Sequence, residues 1–166
     1  MRYFLLAIDN TTRWTGRIFA FVIVIAAVQV TGEVVARYVF NSPTFWGLEV
    51  TIWLCAALYM MGGAYALLNN AHVRIDTLYM LWSPRLRAIV DLVTAPIFFI
   101  GVATLCWVGT EWTIKAYLEG TTSISHWEPP IWPIRGLLAL GSFLLVIQGL
   151  AKFIRDFDIA RKGTES

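Results

Sequence analysis

Charge is scarce in this sequence. Lysine, arginine, aspartate and glutamate make up 14% of its 166 residues, against about 25% in an ordinary soluble domain. Thirteen basic and eleven acidic side chains leave a net +2, and no long run of either sign occurs. Disorder, a coiled coil and electrostatic nucleic-acid binding are excluded on that ground. Cysteine is equally sparse: Cys55 and Cys106 sit in apolar stretches without a CxxC, so neither a disulfide scaffold nor a zinc finger fits. There are two histidines, His72 and His126. The chain has no HExxH, no Cys/His nucleophile arrangement and no glycine loop able to cradle phosphate, which argues against a metalloprotease, a thiol enzyme or a nucleotide hydrolase. Apolar residues are abundant, at 58%, with a mean hydropathy of +0.65. The composition is that of a small integral membrane protein, and the length fits one domain.

A bilayer-spanning helix needs about 20 mostly apolar residues. Four stretches qualify, over 17–40, 44–68, 86–115 and 131–154, within a single membrane domain covering 1–166. The fold expected is all-α. The first stretch reads as a retained span rather than a cleaved leader, because it continues through Val34-Val35 to Phe40 with no small-residue cleavage site. Asn41-Ser42-Pro43 and Ser83-Pro84 each place a capping serine before a proline suited to the first helical turn, so they are expected to open helices two and three. Glu119-Gly120-Thr121-Thr122-Ser123 closes the third stretch, and Pro129, Pro130 and Pro133 open the fourth. Pro96 lies inside the third, where a kink is expected rather than a break.

Basic residues in short connections set membrane orientation. Arg2, Arg13 and Arg17, then Arg74, Arg85 and Arg87, then Lys152, Arg155, Arg161 and Lys162 fall on one side. Arg37, Lys115 and Arg135 fall on the other. Both termini are therefore expected in the cytoplasm. Between helices two and three, Ile75, Leu78, Tyr79 and Trp82 recur at helical spacing, with His72, Arg74 and Asp76 on other faces. This pattern suits a short helix over 72–82 lying flat in the cytoplasmic interface, or a surface loop with anchoring aromatics.

Ionisable residues at membrane depth are costly and invite a functional reading. Glu33 and Arg37 are spaced as an i, i+4 ion pair, and Glu49 opens the next helix. The three are expected to meet, either as an ion or proton relay or as a structural cluster orienting two helices. Their place near the span ends favours the structural reading, since snorkelling is cheap there. Arg87 with Asp91, and Glu111 with Lys115, have the same spacing. No carboxylate lies mid-span, whereas a self-sufficient ion-coupled carrier ordinarily needs a buried ionisable site or a broken helix. Haem would require facing histidines inside the bundle, and both histidines fall in connections. No cofactor is expected. Gly62, Gly63 and Ala66 form a small-residue surface in helix two, with Gly141 and others in the later helices. Such surfaces admit close helix approach, within the bundle or against a larger membrane partner. Trp46, Trp53, Trp82, Trp127 and Trp132 read as interfacial belt residues.

Several segments then carry a resemblance. Glu33-Val34-Val35-Ala36-Arg37-Tyr38-Val39-Phe40-Asn41, Trp46 and Glu49, the Gly62–Leu68 segment, and His72-Val73-Arg74-Ile75-Asp76 resemble the small membrane subunit of tripartite ATP-independent periplasmic (TRAP) transporters. Trp127-Glu128-Pro129-Pro130-Ile131-Trp132-Pro133 and Leu140-Gly141 continue it, as does Gln148-Gly149. Leu48-Glu49 stands where that family often has two acidic residues, and Asn69-Asn70 where it has basic ones. The resemblance implies a non-catalytic scaffold in the bacterial inner membrane. Its implied partners are a large sodium-coupled membrane subunit and a periplasmic protein that delivers a solute, usually an organic acid. The connection from Glu119 to Pro133 is then the candidate surface for the periplasmic protein. Two other classes stay open at this point: a self-contained four-helix carrier acting as an oligomer, and a haem- or quinone-binding membrane anchor.

Overall fold

A computed structural model describes residues 2–69 and 82–162. Four helices occupy them: α1 (Arg2–Tyr38), α2 (Gly47–Leu68), α3 (Pro84–Leu118) and α4 (Trp132–Lys162). All four are long and apolar enough to cross a membrane. No strand occurs among the described residues; a single isolated bridge joins Thr122 to Pro130. The candidate interfacial helix over 72–82 lies almost wholly outside the described residues.

Helix boundaries depart from the apolar runs in instructive ways. At about 1.5 Å per residue, the 37 residues of α1 measure roughly 55 Å, well beyond the roughly 30 Å hydrocarbon core of a bilayer. Hydropathy starts the span at Arg17, yet the helix starts at Arg2, because polar residues in its first turns find partners on α4. Helix α4 likewise runs past Ile154 to Lys162.

The expectation that Ser42-Pro43 opens α2 is corrected. Helix α2 starts at Gly47, and its N-cap, Trp46, makes no side-chain cap bond. Asn41 adopts a left-handed φ of 49°, which folds the chain back so that the Ser42 N–H donates to the Ala36 carbonyl at 3.0 Å. Ser42 is thereby used in ending α1 rather than in capping α2. Ser83 does behave as expected: its hydroxyl accepts from Leu86 N, with proline in the first turn of α3. Helix α3 runs unbroken through Pro96. It ends in a Schellman arrangement, in which Gly120 at φ 62° donates to Tyr117 and Thr121 donates to Ala116 at 3.1 Å.

The helices pack in the order α1, α2, α4, α3. Helix α4 packs against α3 and α2, α2 packs against α1, and α1 touches α4 only sparingly. The buried apolar side chains are small for the most part, including Ala57, Ala64, Ala88, Ala116 and Ala151. Small residues let helix backbones approach where lipid removes the hydrophobic incentive to associate. Gly141 marks the tightest crossing, since a Cβ there would collide with the Met60 carbonyl of α2. Gly109 lies against Ala139, and Gly16 lies under the Tyr65 ring. Gly62 and Gly63 differ: a Cβ at either would meet nothing within 4 Å. Among the described residues, nothing packs against that surface. The most apolar stretch of α1 has no buried residue, and that of α3 almost none.

Candidate functional site: fastened helix ends and uncovered faces

Polar contacts collect at the two ends of the bundle. One end carries both described chain ends and is called the terminal end below; the other carries the α1–α2 and α3–α4 connections.

At the end with the connections, helical spacing sets Gln29, Glu33 and Arg37 along one face of α1. Arg37 Nη2 donates to Glu33 Oε1 at 3.0 Å, with side-chain exposures of 52% and 13%. The Thr44 hydroxyl donates to the other Glu33 oxygen, and Gln29 Nε2 donates to the Gly47 carbonyl at 2.8 Å. Any Cβ on residue 47 would strike the Glu33 carboxylate and the Thr44 hydroxyl. A glycine at the start of α2 is thus what lets that helix sit beside Glu33.

The expected three-way meeting of Glu33, Arg37 and Glu49 does not form as such. Glu49 accepts from the Ser125 hydroxyl in the α3–α4 connection instead. The sequence placed Glu49 near Arg37 by chain proximity, and nothing in its spacing announced a partner 76 residues away. Close by, the Trp53 and Trp127 rings lie 6.3 Å apart at 42°, so this connection is held over the end of α2. Within it, Ser123 N–H donates to the Pro129 carbonyl at 2.9 Å and Ile131 N–H to the Thr121 carbonyl at 3.1 Å. Glu128 adopts a left-handed φ of 48°, Pro129 is buried, and Ile124 is fully exposed. Pro130 forms the bridge to Thr122. Trp132 meets Tyr117 edge-on at 5.7 Å, and Pro133 occupies the first turn of α4.

Glu111 and Lys115, expected to pair, both stay exposed on α3 without forming the pair. The fastening there comes from Arg135 on α4, which donates to the Trp112 carbonyl at 3.4 Å and sits 5.8 Å from the Trp112 ring centre.

The terminal end holds a denser set of contacts. Asp9 on α1 accepts from Arg155 at 2.6 Å and from Gln148 at 3.1 Å. Thr12 donates to the Gln148 oxygen at 2.8 Å. Gln148 is 1% exposed and Thr12 2%. Lys152 bonds Asp91 of α3 and Asp156 of its own helix. Arg87 Nε donates to the Trp82 carbonyl at 2.9 Å, and Arg85 to the Ala160 carbonyl at 3.2 Å. Sequence reading counted Lys152 and Arg155 only as orientation charges and passed over Asp9. The signal available was positional: Gln148, Lys152, Arg155 and Asp156 fall at i, i+4, i+7 and i+8, one stripe of α4.

These groups fasten helices to one another. Among the described residues, no buried side-chain nitrogen or oxygen is unpaired, and no set of three histidine, cysteine or acidic residues is placed to hold a metal. The exposed Thr31, Thr104 and Thr110 hydroxyls bond the carbonyls four residues back, which lets them face lipid without an unmade bond. A shallow apolar groove of about 530 Å³ runs along α1 from Val24 to Glu33, roofed by Trp46. A second, sharing Val28 and Gly32, extends to Phe40. His72, Arg74 and Asp76 lie outside the described residues. Ala66 is half-buried beside the open Gly62–Gly63 surface.

Comparison with known proteins gives this scaffold-like geometry a family. Residues 26–158, from the middle of α1 almost to the end of α4, match the family described as the DctQ component of tripartite ATP-independent periplasmic transporters. The chain belongs to this family. A relative in Vibrio cholerae serotype O1 (strain ATCC 39315 / El Tor Inaba N16961), the C4-dicarboxylate TRAP transporter small permease protein DctQ, is 31% identical over 61 residues. That similarity covers 37% of this chain and 26% of the relative. A DctQ-type chain is a multi-pass membrane component of a transporter, which accords with four apolar helices and with polar groups engaged in fastening.

Proposed function

We propose that this chain is the small scaffolding subunit of a TRAP transporter in the bacterial inner membrane. It holds a large, sodium-coupled membrane subunit that carries out symport of an organic acid; the Vibrio cholerae relative is named for C4-dicarboxylate. A periplasmic binding protein delivers that solute. The terminal end is cytoplasmic, as the arginines of α1 and the α2–α3 connection favour. The segment over 72–82 lies flat in the cytoplasmic interface. The α3–α4 connection, with Trp127 and Glu128, faces the periplasmic protein.

The observation that carries this reading is the family match across all four helices. The uncovered α1 span and the unused Gly62–Gly63 surface support it further. A fixed frame needs free membrane faces for a partner and no transport site of its own. The test is a tagged pull-down from native membranes in mild detergent with mass spectrometry. A stoichiometric, very hydrophobic partner of several times this mass is expected. Recovery of this chain alone, as a homo-oligomer that moves solute in vesicles, would overturn the proposal.

A further inference from the structure

The row of helices joins α1 to α2 along its length, but among the described residues polar contacts reach from α1 to α4 only at the terminal end. They are the Asp9 bonds to Arg155 and Gln148 and the bond from Thr12 to Gln148. All involve one stripe of α4, and the same stripe takes Asp91 of α3 through Lys152. Gln148 is both donor and acceptor here, and it is the largest fully buried side chain in the described protein. A buried amide with two fitted partners specifies one register, because a slip of either helix would strand it.

We infer that Gln148 and Arg155 are positioning residues that latch the first turns of α1 onto α4. They fix the angle at which the otherwise uncovered α1 span stands in the bilayer. The opposite end of α1 is fastened to a different helix, through Gln29 to the Gly47 carbonyl and Glu33 to Thr44. Helix α1 therefore lies along α2 on one side, is pinned by polar contacts at its two ends to α4 and α2, and turns the rest of its middle to lipid. The latch turns an open row into a frame closed at the terminal end. Its value to transport rests on the scaffold reading above, whereas its existence as a latch does not.

The experiment uses the full chain in its native complex, with Cys55 and Cys106 replaced by serine. Spin labels go on exposed Asn10 of α1 and exposed Asp158 of α4. Asp9→Arg and Arg155→Asp each remove the pair and set like charges together, and the double exchange restores opposite charges. Thr12→Val is the mild variant should a charge reversal fail to fold. The parent is expected to give a narrow distance distribution consistent with helices packed about 8–10 Å apart. Each single exchange, and to a smaller degree Thr12→Val, should lengthen and broaden it, and the double exchange should restore it. Uptake by the assembled transporter should fall and recover in parallel, at unchanged yield of complex. Unchanged distances in the single variants, or a double exchange that restores nothing, would overturn the latch. Distances that shift and recover while no partner copurifies would leave the latch standing and sink the scaffold reading.

Discussion

Gly141→Ala isolates the tightest helix crossing in the chain. The new Cβ would collide with the Met60 carbonyl oxygen and lie 2.8 Å from its carbonyl carbon. Carbon atoms rest at about 3.5 Å or more, so α2 and α4 must part by at least roughly 0.7 Å, the shortfall at the carbonyl carbon alone. The obstacle is backbone within α2 and cannot rotate aside. Overpacking of this kind costs about 1–3 kcal/mol. For a chain of 166 residues, on the scale of about 2–4 °C per kcal/mol, the unfolding midpoint in detergent should drop by several degrees. Gly62→Ala and Gly63→Ala provide the control in the facing helix, α2. Neither Cβ meets anything within 4 Å, and helix propensity favours alanine by about 1 kcal/mol, so both should hold or raise the midpoint of the isolated chain. Thermal unfolding monitored by fluorescence, with the yield of folded chain as a second readout, decides the matter. A midpoint unchanged in Gly141→Ala, or an equal loss in Gly63→Ala, would refute the assignment of the α2–α4 crossing to residue 141.

Other predictions follow from the fastened ends. Glu33→Ala removes an acceptor serving both Arg37 and Thr44 and should destabilise the chain more than Arg37→Ala, a change at a half-exposed arginine that should cost under about 1 kcal/mol. Equal losses in chemical or thermal unfolding would count against Glu33 as the centre of that turn. In a double-mutant cycle, Glu49→Gln and Ser125→Ala should be non-additive in stability, since they share one hydrogen bond. Additive losses would show that the α3–α4 connection is held by the Trp53–Trp127 contact instead. In right-side-out vesicles, a cysteine at Ser123 should react with a membrane-impermeant maleimide and one at Asn10 should not; the reverse pattern would invert the proposed orientation. Gly63→Leu should lower the yield of any copurifying membrane partner while leaving the isolated chain folded, and unchanged yield would remove Gly63 from the partner surface.

How much of this was legible in the sequence depended on the range of the interaction. Local chemistry read correctly where one residue or segment decided the outcome: Ser83 caps α3, the Glu119–Ser123 segment follows the end of α3, and Glu33 pairs with Arg37 one turn away. Local reading failed where a competing local use was possible. Ser42 had the form of a cap, but the left-handed Asn41 drew its N–H back to Ala36, so α2 began at Gly47. Hydropathy missed the first fifteen residues of α1 because Asp9 and Thr12 are polar, and what makes them helical is a stripe on α4 more than 130 residues later. The same distance hid the link from Glu49 to Ser125. Small residues were visible, but not their allocation. Gly141 faces inward and Gly62 and Gly63 face open space, a distinction set by how α2 and α4 are each rotated about their axes.

The order in which the helices pack also bears on how the chain is made. Helix α3 emerges from the ribosome before α4, yet α4 is its principal neighbour. During that interval α3 must stand by itself among lipids. Its equipment suits the wait, since Thr94, Thr104 and Thr110 bond to carbonyls of their own helix. Asp91, four residues from the last arginine before it, receives Lys152 only after the following helix has been synthesised. Asp9 waits longer still, for Arg155. The last helix to be translated therefore completes the contacts that two earlier ones lack. A chain truncated before α4 would present the insertion machinery with two spans, α1 and α3, short of the partners that hold them.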